Sequence, residues 1–252
     1  MTNEKIIEKL YLAGKQIKDF DIAMSIIRKN DGIPKISGVF SEPDVVIAEL
    51  IYRLEKENKE KIMKKAGKTD VLNVAKSILK DSKRIHEHKP QIHTAFMCDE
   101  KQCFTDGFRA LMLSGEKILD VQTNPEKVFS IDVACKVQKD NNAVLPDLAE
   151  FKTVLARFKN LYVKEKGICR FYDKDNNIII GFNPDFLLDA IKATAANKFY
   201  YSKGNKPALF ETDNIKMVVM PVYVKEPTTK GEHHYIDVFA DGSMDISTVT
   251  VE

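Results

Sequence analysis

The chain has 252 residues, 44% hydrophobic and 30% charged, with a formal net charge of +2, which suits a globular protein of one large or two small domains. No apolar run approaches the roughly 18 residues a membrane span needs, and the N-terminus MTNEKIIEKL lacks the basic-then-apolar layout of a secretory signal. Four cysteines are too few and too scattered for a disulfide scaffold, so a cytoplasmic location with no membrane partner is expected.

The first third reads as helical. Ile6, Leu10, Ala13, Ile17, Phe20, Met24 and Ile27 alternate in steps of four and three, the seam of a helix packed along another helix. Asp31-Gly32-Ile33-Pro34 breaks the pattern, and Ser41-Glu42-Pro43-Asp44 announces a second helix with Ile47, Leu50, Ile51 and Leu54 inward. From Glu55 to Lys68 that helix is almost wholly charged: a solvated face, with nucleic-acid contact as the alternative. A third helix, Asp70 to about Arg84, turns Val71, Leu72, Ala75, Ile78 and Leu79 inward. Lys76, Lys80 and Lys83 face outward as a single-sign stripe that can track a phosphate backbone.

Three chemical signatures fail on spacing. Gly67-Lys68-Thr69 looks like the end of a phosphate loop, but Ile62 stands where its first glycine should. Pro43-Asp44 with Glu57-Asn58-Lys59 imitates a metal-dependent nuclease, yet both pieces lie on a helical pattern, whereas that chemistry needs side chains converging from neighbouring strands. His86, His88 and His93 with Cys98 and Cys103 lack a second tight pair for zinc. There is no GxSxG elbow, no HExxH and no dinucleotide loop. No catalytic residue, cofactor or metal is expected.

Period-two patterns follow. Strands are predicted at Ile92 to Met97, Gln102 to Thr105 and Ala110 to Leu113, with a turn at Asp99-Glu100 and a tight Thr105-Asp106-Gly107 turn. A weak stretch from Ser114 to Asn142 holds one strand at Val128 to Val133 and a polar turn at 139–142. Asp147 and Glu150 cap a fourth helix with Leu148, Phe151, Leu155 and Phe158 inward. Strands at Leu161 to Lys164, Ile168 to Tyr172 and Ile178 to Phe182 come next, with a turn at Asp173 to Asn177. Asn183-Pro184-Asp185 starts a helix with Leu187, Leu188, Ile191 and Ala195 on one face. A three-stranded meander follows through Phe199-Tyr200-Tyr201, Ala208-Leu209-Phe210 and Met217 to Val224, with turns at Gly204-Asn205 and Asp213-Asn214. A hairpin is expected around Asp241-Gly242.

A helix on one face of a meander leaves both sheet edges open, so the unit invites repetition. The order of elements, FNPDFLLDAI and the closing VVMPV resemble the last half-domain of the bacterial sliding clamp, the DNA polymerase III beta subunit. Thr105 to Ala110, TDGFRA, resembles that family's TDGHRLA, with Phe108 for the usual histidine, and Val144-Leu145-Pro146 is similar to its VLP. The resemblance runs from about Asp70 to Val224. It implies an α+β fold of clamp-like helix-plus-meander units at 69–225; the all-helical segment 1–68, where a clamp begins with a strand, and the tail 226–252 depart from that pattern.

The resemblance also implies a non-enzymatic protein of DNA replication or repair. Its three motifs would converge on one hydrophobic pocket for clamp-binding peptides of polymerase or repair proteins, lined by Thr105, Gly107, Phe108, Arg109, Pro146, Val218, Met220 and Pro221. A proline floor, an adaptable methionine and an arginine stem suit a leucine or aromatic anchor. Double-stranded DNA would be met by Lys76, Lys80, Lys83, Lys152 and Lys159. A shortened clamp with helices at one end leaves ring closure and homo-oligomerisation open. The alternatives are a non-ring interaction adaptor that kept the pocket and, behind it, a nuclease using Asp44, Glu57 and Lys59.

Overall fold

The computed structural model describes residues 3–15, 20–30, 42–65, 69–98, 100–115, 117–119, 121, 146–162, 167–196, 198–201 and 206–252. The chain divides into two units, Met1–Thr69 and Asp70–Glu252. The first holds α1 (Asn3–Gly14), α2 (Phe20–Asn30) and α3 (Glu42–Lys65), with α1 and α2 packed on α3. Its core is Ala23, Met24, Ile27, Ala48, Ile51 and Tyr52, with Ile47, Ile7, Leu10 and Tyr11 against it. Leu50, expected inward, is 45% exposed. The buried seam of α3 runs through 48, 51 and 52, with 47 partly buried beside it, which puts position 50 on the flank.

The second unit begins with α4 (Thr69–Ile85), which buries Val71, Leu72, Val74, Ala75 and Ile78. Then come β1 (Phe96–Cys98), β2 (Lys101–Thr105) and β3 (Arg109–Leu113). After α5 (Leu148–Leu161), β4 (Ile168–Tyr172) and β5 (Ile178–Phe182) stands α6 (Pro184–Thr194), followed by β6 (Lys198–Tyr200), β7 (Ala208–Glu211) and β8 (Ile215–Val219). The chain thus runs helix then meander twice. The two meanders join edge to edge in one sheet of order β1-β2-β3-β8-β7-β6. β3 and β8 pair antiparallel from Arg109 opposite Val219 to Leu113 opposite Ile215. The strand order is symmetric about that junction, so the two open inner edges of the repeat satisfy each other.

Register assigns the faces. Phe104, Leu111, Met217, Phe210 and Phe199 lie in one cross-strand row. Phe96, Cys103, Ala110 and Met112 cluster in the alternate rows, as do Leu209 and Val218. α6 packs on β7 and β8. Its cap is as predicted: the Asn183 side chain accepts from the Asp185 and Phe186 amides, with Pro184 in the first turn. Ala195 was expected on the apolar face but is instead the C-cap, with φ +44°. The helix has already ended there, so its side chain points to solvent.

β9 (Gly231–Val238) and β10 (Met244–Val251) complete a second sheet, β10-β9-β4-β5. The expected tail is therefore part of a sheet: β9 lies parallel beside β4, with Arg170 opposite Asp237. The strand predicted from Leu161 is also revised. Leu161 ends α5, and the Tyr162 amide donates to Phe158, while the Tyr162 ring stacks on His234 at 3.8 Å. An aromatic chain joins the two sheets, Phe151 to Phe171 (6.1 Å), Phe171 to Phe199 (6.0 Å) and Phe199 to Phe210 (4.4 Å). Each of these rings is fully buried, the kind of contact that dominates core energetics. The expected features at 31–34, 66–68, 128–133, 139–142 and 204–205 lie outside the described residues.

Candidate functional site

The turn between β2 and β3 is built by its own side chains. One oxygen of Asp106 accepts from the Phe108 and Arg109 amides, both at 2.9 Å. The Thr105 hydroxyl donates to the Arg109 carbonyl at 2.9 Å and accepts from the Gly107 amide at 3.1 Å. Gly107 sits at φ +85°, and a Cβ there would come within 2.8 Å of His86 Nε2. Glycine is required both by the backbone conformation and by the close approach of that ring.

β3–β8 pairing carries this turn to the end of β8. The Met220 amide donates to the Phe108 carbonyl at 2.8 Å, so the TDGFRA and VVMP strings meet through a backbone hydrogen bond. Phe108 is 45% exposed and Met220 39%, with Pro221 half-buried beside them. His86 stacks on Phe108 at 6.1 Å, and its Nε2 lies 2.9 Å from the Asp106 carbonyl. The result is an apolar shelf on a rigid turn. Beyond Pro221, the Val222 amide donates to Gly181 on β5, and a Cβ on Gly181 would stand 2.2 Å from Val224. This crossing fixes the direction in which the chain leaves the shelf.

Arg109 does something other than expected. Its side chain is 2% exposed and lies on the opposite face of the sheet from Val218, because Val219, not Val218, is its cross-strand partner. The guanidinium donates from Nε to Asp106 at 2.8 Å, from Nη2 to Asp81 at 2.6 Å and Ser77 at 3.2 Å, and from Nη1 to Asp189. Its Cζ also lies 4.4 Å from the centre of the Phe186 ring. Asp81 and Ser77 come from α4, Asp189 and Phe186 from α6, so one arginine ties both helices to the turn. Buried in this way, it holds the turn and offers almost no side-chain surface to solvent. Burial raises the Asp189 carboxyl above its ordinary range, and the Arg109 charge offsets this only in part.

Thr105 and Val218 are buried as well; Thr105 holds the turn through its hydroxyl, and Val218 packs with Leu209 and Tyr200. Pro146 is buried immediately before the α5 cap Asp147; Val144 and Leu145 lie outside the described residues. Of the candidate lysines, Lys80, Lys83 and Lys152 are exposed and Lys76 is half-buried. Lys159 is exposed but paired with Asp185 at 2.9 Å, so a phosphate there would compete with a carboxylate. His86 and His93 each place Nε2 within 2.9 Å of a backbone carbonyl. Asp81, Asp189, Phe186 and His86 were missed as parts of the site. A signal existed for Asp189: a carboxylate beside Leu188 at the rim of an apolar helix face asks for a cation.

No protein-family model and no curated protein matches the sequence. Solved structures do resemble it. The DNA polymerase beta subunit of Streptococcus pyogenes is 12% identical, with a TM-score of 0.41 over 61% of this chain and 64% of that one. The DNA polymerase III subunit beta of Pseudomonas aeruginosa is 16% identical, with a TM-score of 0.41 over 58% and 65%. The Helicobacter pylori beta clamp, solved with a DNA ligase peptide, is 12% identical, with a TM-score of 0.42 over 60% and 63%. The chain thus spans less than two thirds of each of these proteins. The likeness is one of fold, at low identity and over part of each chain.

Proposed function

We propose that this chain is a non-enzymatic, clamp-like protein of DNA replication or repair that docks partner peptides on the shelf of Gly107, Phe108, Met220 and Pro221. The observation that carries this reading is the direct joining of Phe108 to Met220, two exposed apolar residues from distant parts of the chain held on a turn that buried Arg109 immobilises. A soft methionine beside an aromatic ring adapts to leucine or aromatic anchors. Preorganisation matters because ordering a loop on binding would consume affinity. The exposed Lys80 and Lys83 of α4, with Lys76 and Lys152, supply a weaker contact to the DNA backbone.

The test is a fluorescence-anisotropy titration with a short labelled peptide carrying the leucine and aromatic anchors of clamp-binding motifs. Met220→Asp puts a charge where an apolar anchor is desolvated, and weakens binding by more than about tenfold. Equal affinity for the parent and the variant would overturn the reading.

A further inference from the structure

The turn that carries Phe108 has committed its amides internally. Those of Phe108 and Arg109 go to the Asp106 carboxylate, that of Gly107 to the Thr105 hydroxyl, that of Asp106 to the Arg109 carbonyl, and that of Met220 to the Phe108 carbonyl. Pro221 has no N–H. The Thr105 hydroxyl both donates and accepts within the turn, and the second Asp106 oxygen meets Arg109. A chain laid on Gly107, Phe108, Met220 and Pro221 therefore meets apolar surface and no backbone N–H donor.

The residue stacked on Phe108 does keep a polar atom in reserve. His86 follows the last turn of α4 and is held from several sides. Its amide donates to the Ser82 carbonyl at 2.9 Å, and its carbonyl accepts from the Lys89 amide and from His93 Nε2, both at 2.8 Å. The buried Ser82 hydroxyl donates to the Ile92 carbonyl at 2.8 Å and closes the loop after the helix. The imidazole lies within 22° of parallel to the Phe108 ring, and the missing Cβ of Gly107 makes room for its Nε2. That nitrogen is 2.9 Å from the Asp106 carbonyl oxygen. A carbonyl oxygen only accepts, so in the neutral ring Nε2 carries the proton and Nδ1 keeps its lone pair. Among the described residues Nδ1 has no partner. The one buried side-chain polar atom left unpaired among them is Glu49 Oε2, so Nδ1 is open to solvent at the edge of the shelf.

We propose that His86 Nδ1 accepts a hydrogen bond from a backbone amide of the docked peptide, beside the residue seated on Phe108. His86 is then the polar specificity element of the shelf, selecting ligands that bring an N–H donor to that point. The assignment rests on the peptide reading above. Burying a peptide amide against an apolar surface is costly unless it finds an acceptor, and the turn fixes this acceptor in place before the ligand arrives. A ligand that offers an oxygen there instead sets two lone pairs against each other.

The test uses the full chain and a set of labelled peptides with leucine and aromatic anchors, in which each backbone amide in turn is replaced by an ester. In the parent, one ester position is expected to weaken binding about two- to tenfold, the worth of a neutral hydrogen bond. His86→Phe keeps a ring against Phe108 but has no acceptor, and binds that ester and its amide equally; the ratio removes any general loosening of the turn. A second measurement needs no variant: with ¹⁵N-histidine-labelled parent, the His86 Nδ1 resonance is expected to shift saturably with peptide while Nε2 stays bonded to Asp106. An ester penalty that is the same in His86→Phe as in the parent, or an Nδ1 signal unmoved at saturation, would overturn this proposal and leave the shelf reading standing. A parent that binds none of the peptides would overturn both.

Discussion

Replacing Arg109 by alanine tests how the shelf is held. The guanidinium is the shared partner of three carboxylates, and Asp106 among them has no exposure at all, while the Asp81 and Asp189 side chains are 22% and 19% exposed. The two outer carboxylates regain water when the arginine is removed; Asp106 cannot. Breaking a buried pair from one side costs about 3–5 kcal/mol because the remaining charge is left uncompensated. That is a large share of the roughly 5–15 kcal/mol of an ordinary domain. Arg109→Lys keeps one charge but cannot reach three carboxylates at once, and falls between parent and alanine. Arg109→Met combined with Asp106→Asn removes both charges while leaving the turn its acceptor oxygen. That pair costs less than the sum of its single changes, by at least about 1 kcal/mol of coupling. Urea unfolding followed by far-ultraviolet circular dichroism reads each value as a midpoint shift at constant slope. An alanine variant within about 1 kcal/mol of the parent would refute the reasoning, since hydrogen bonds to charged groups are worth roughly 1.5–3 kcal/mol each.

Asp189→Asn should change the pH dependence of stability. Burial raises the folded-state carboxyl above its ordinary value of 3.8, so the folded chain binds that proton more readily than the unfolded chain. The parent therefore loses stability as pH rises from about the unfolded value through the folded one. The variant lacks this slope, and its urea midpoint relative to the parent rises across that window and is flat above it; a difference that runs the other way would reject the burial account. Gly107→Ala is expected to destabilise by about 1–2 kcal/mol or more from its positive φ and its contact with His86, read by the same unfolding curve, and an unchanged midpoint would deny that requirement. For DNA, Lys80→Ala with Lys83→Ala lowers salt-sensitive binding to a duplex and flattens its salt slope by nearly two. Lys159→Ala, whose charge Asp185 already meets, does so less; equal effects would contradict the role of that pair.

Much of the fold was legible because local chemistry and periodicity agreed. Asn183-Pro184 set the start of α6, the Asp147 cap set the start of α5, and alternating apolar residues marked both meanders. What the pattern could not supply was long-range pairing. That β3 and β8 would join two meanders, or that β9 would run parallel to β4, depends on contacts more than 60 residues apart in the chain. Leu161 was read as strand because a single apolar residue beside two tyrosine- and valine-bearing positions has no period of its own.

The site was half legible for the same reason. TDG declared a tight turn, and the turn is there. Arg109 was read as a groove wall because a motif gives an order of letters and no direction for a side chain. Only the cross-strand register, Arg109 with Val219, turns it away from Val218 and towards Asp81 and Asp189. Those two aspartates carried no shared signal in the sequence, lying on helices separated by the whole of the first meander.

On the proposed function, a partner peptide sits on Phe108 and Met220. Methyl-labelled methionine resonances in a titration with a clamp-motif peptide measure this most directly. The Met220 methyl signal should shift saturably with peptide while that of Met244, on β10 in the other sheet, stays in place. A peptide that binds and leaves Met220 unmoved would contradict the account.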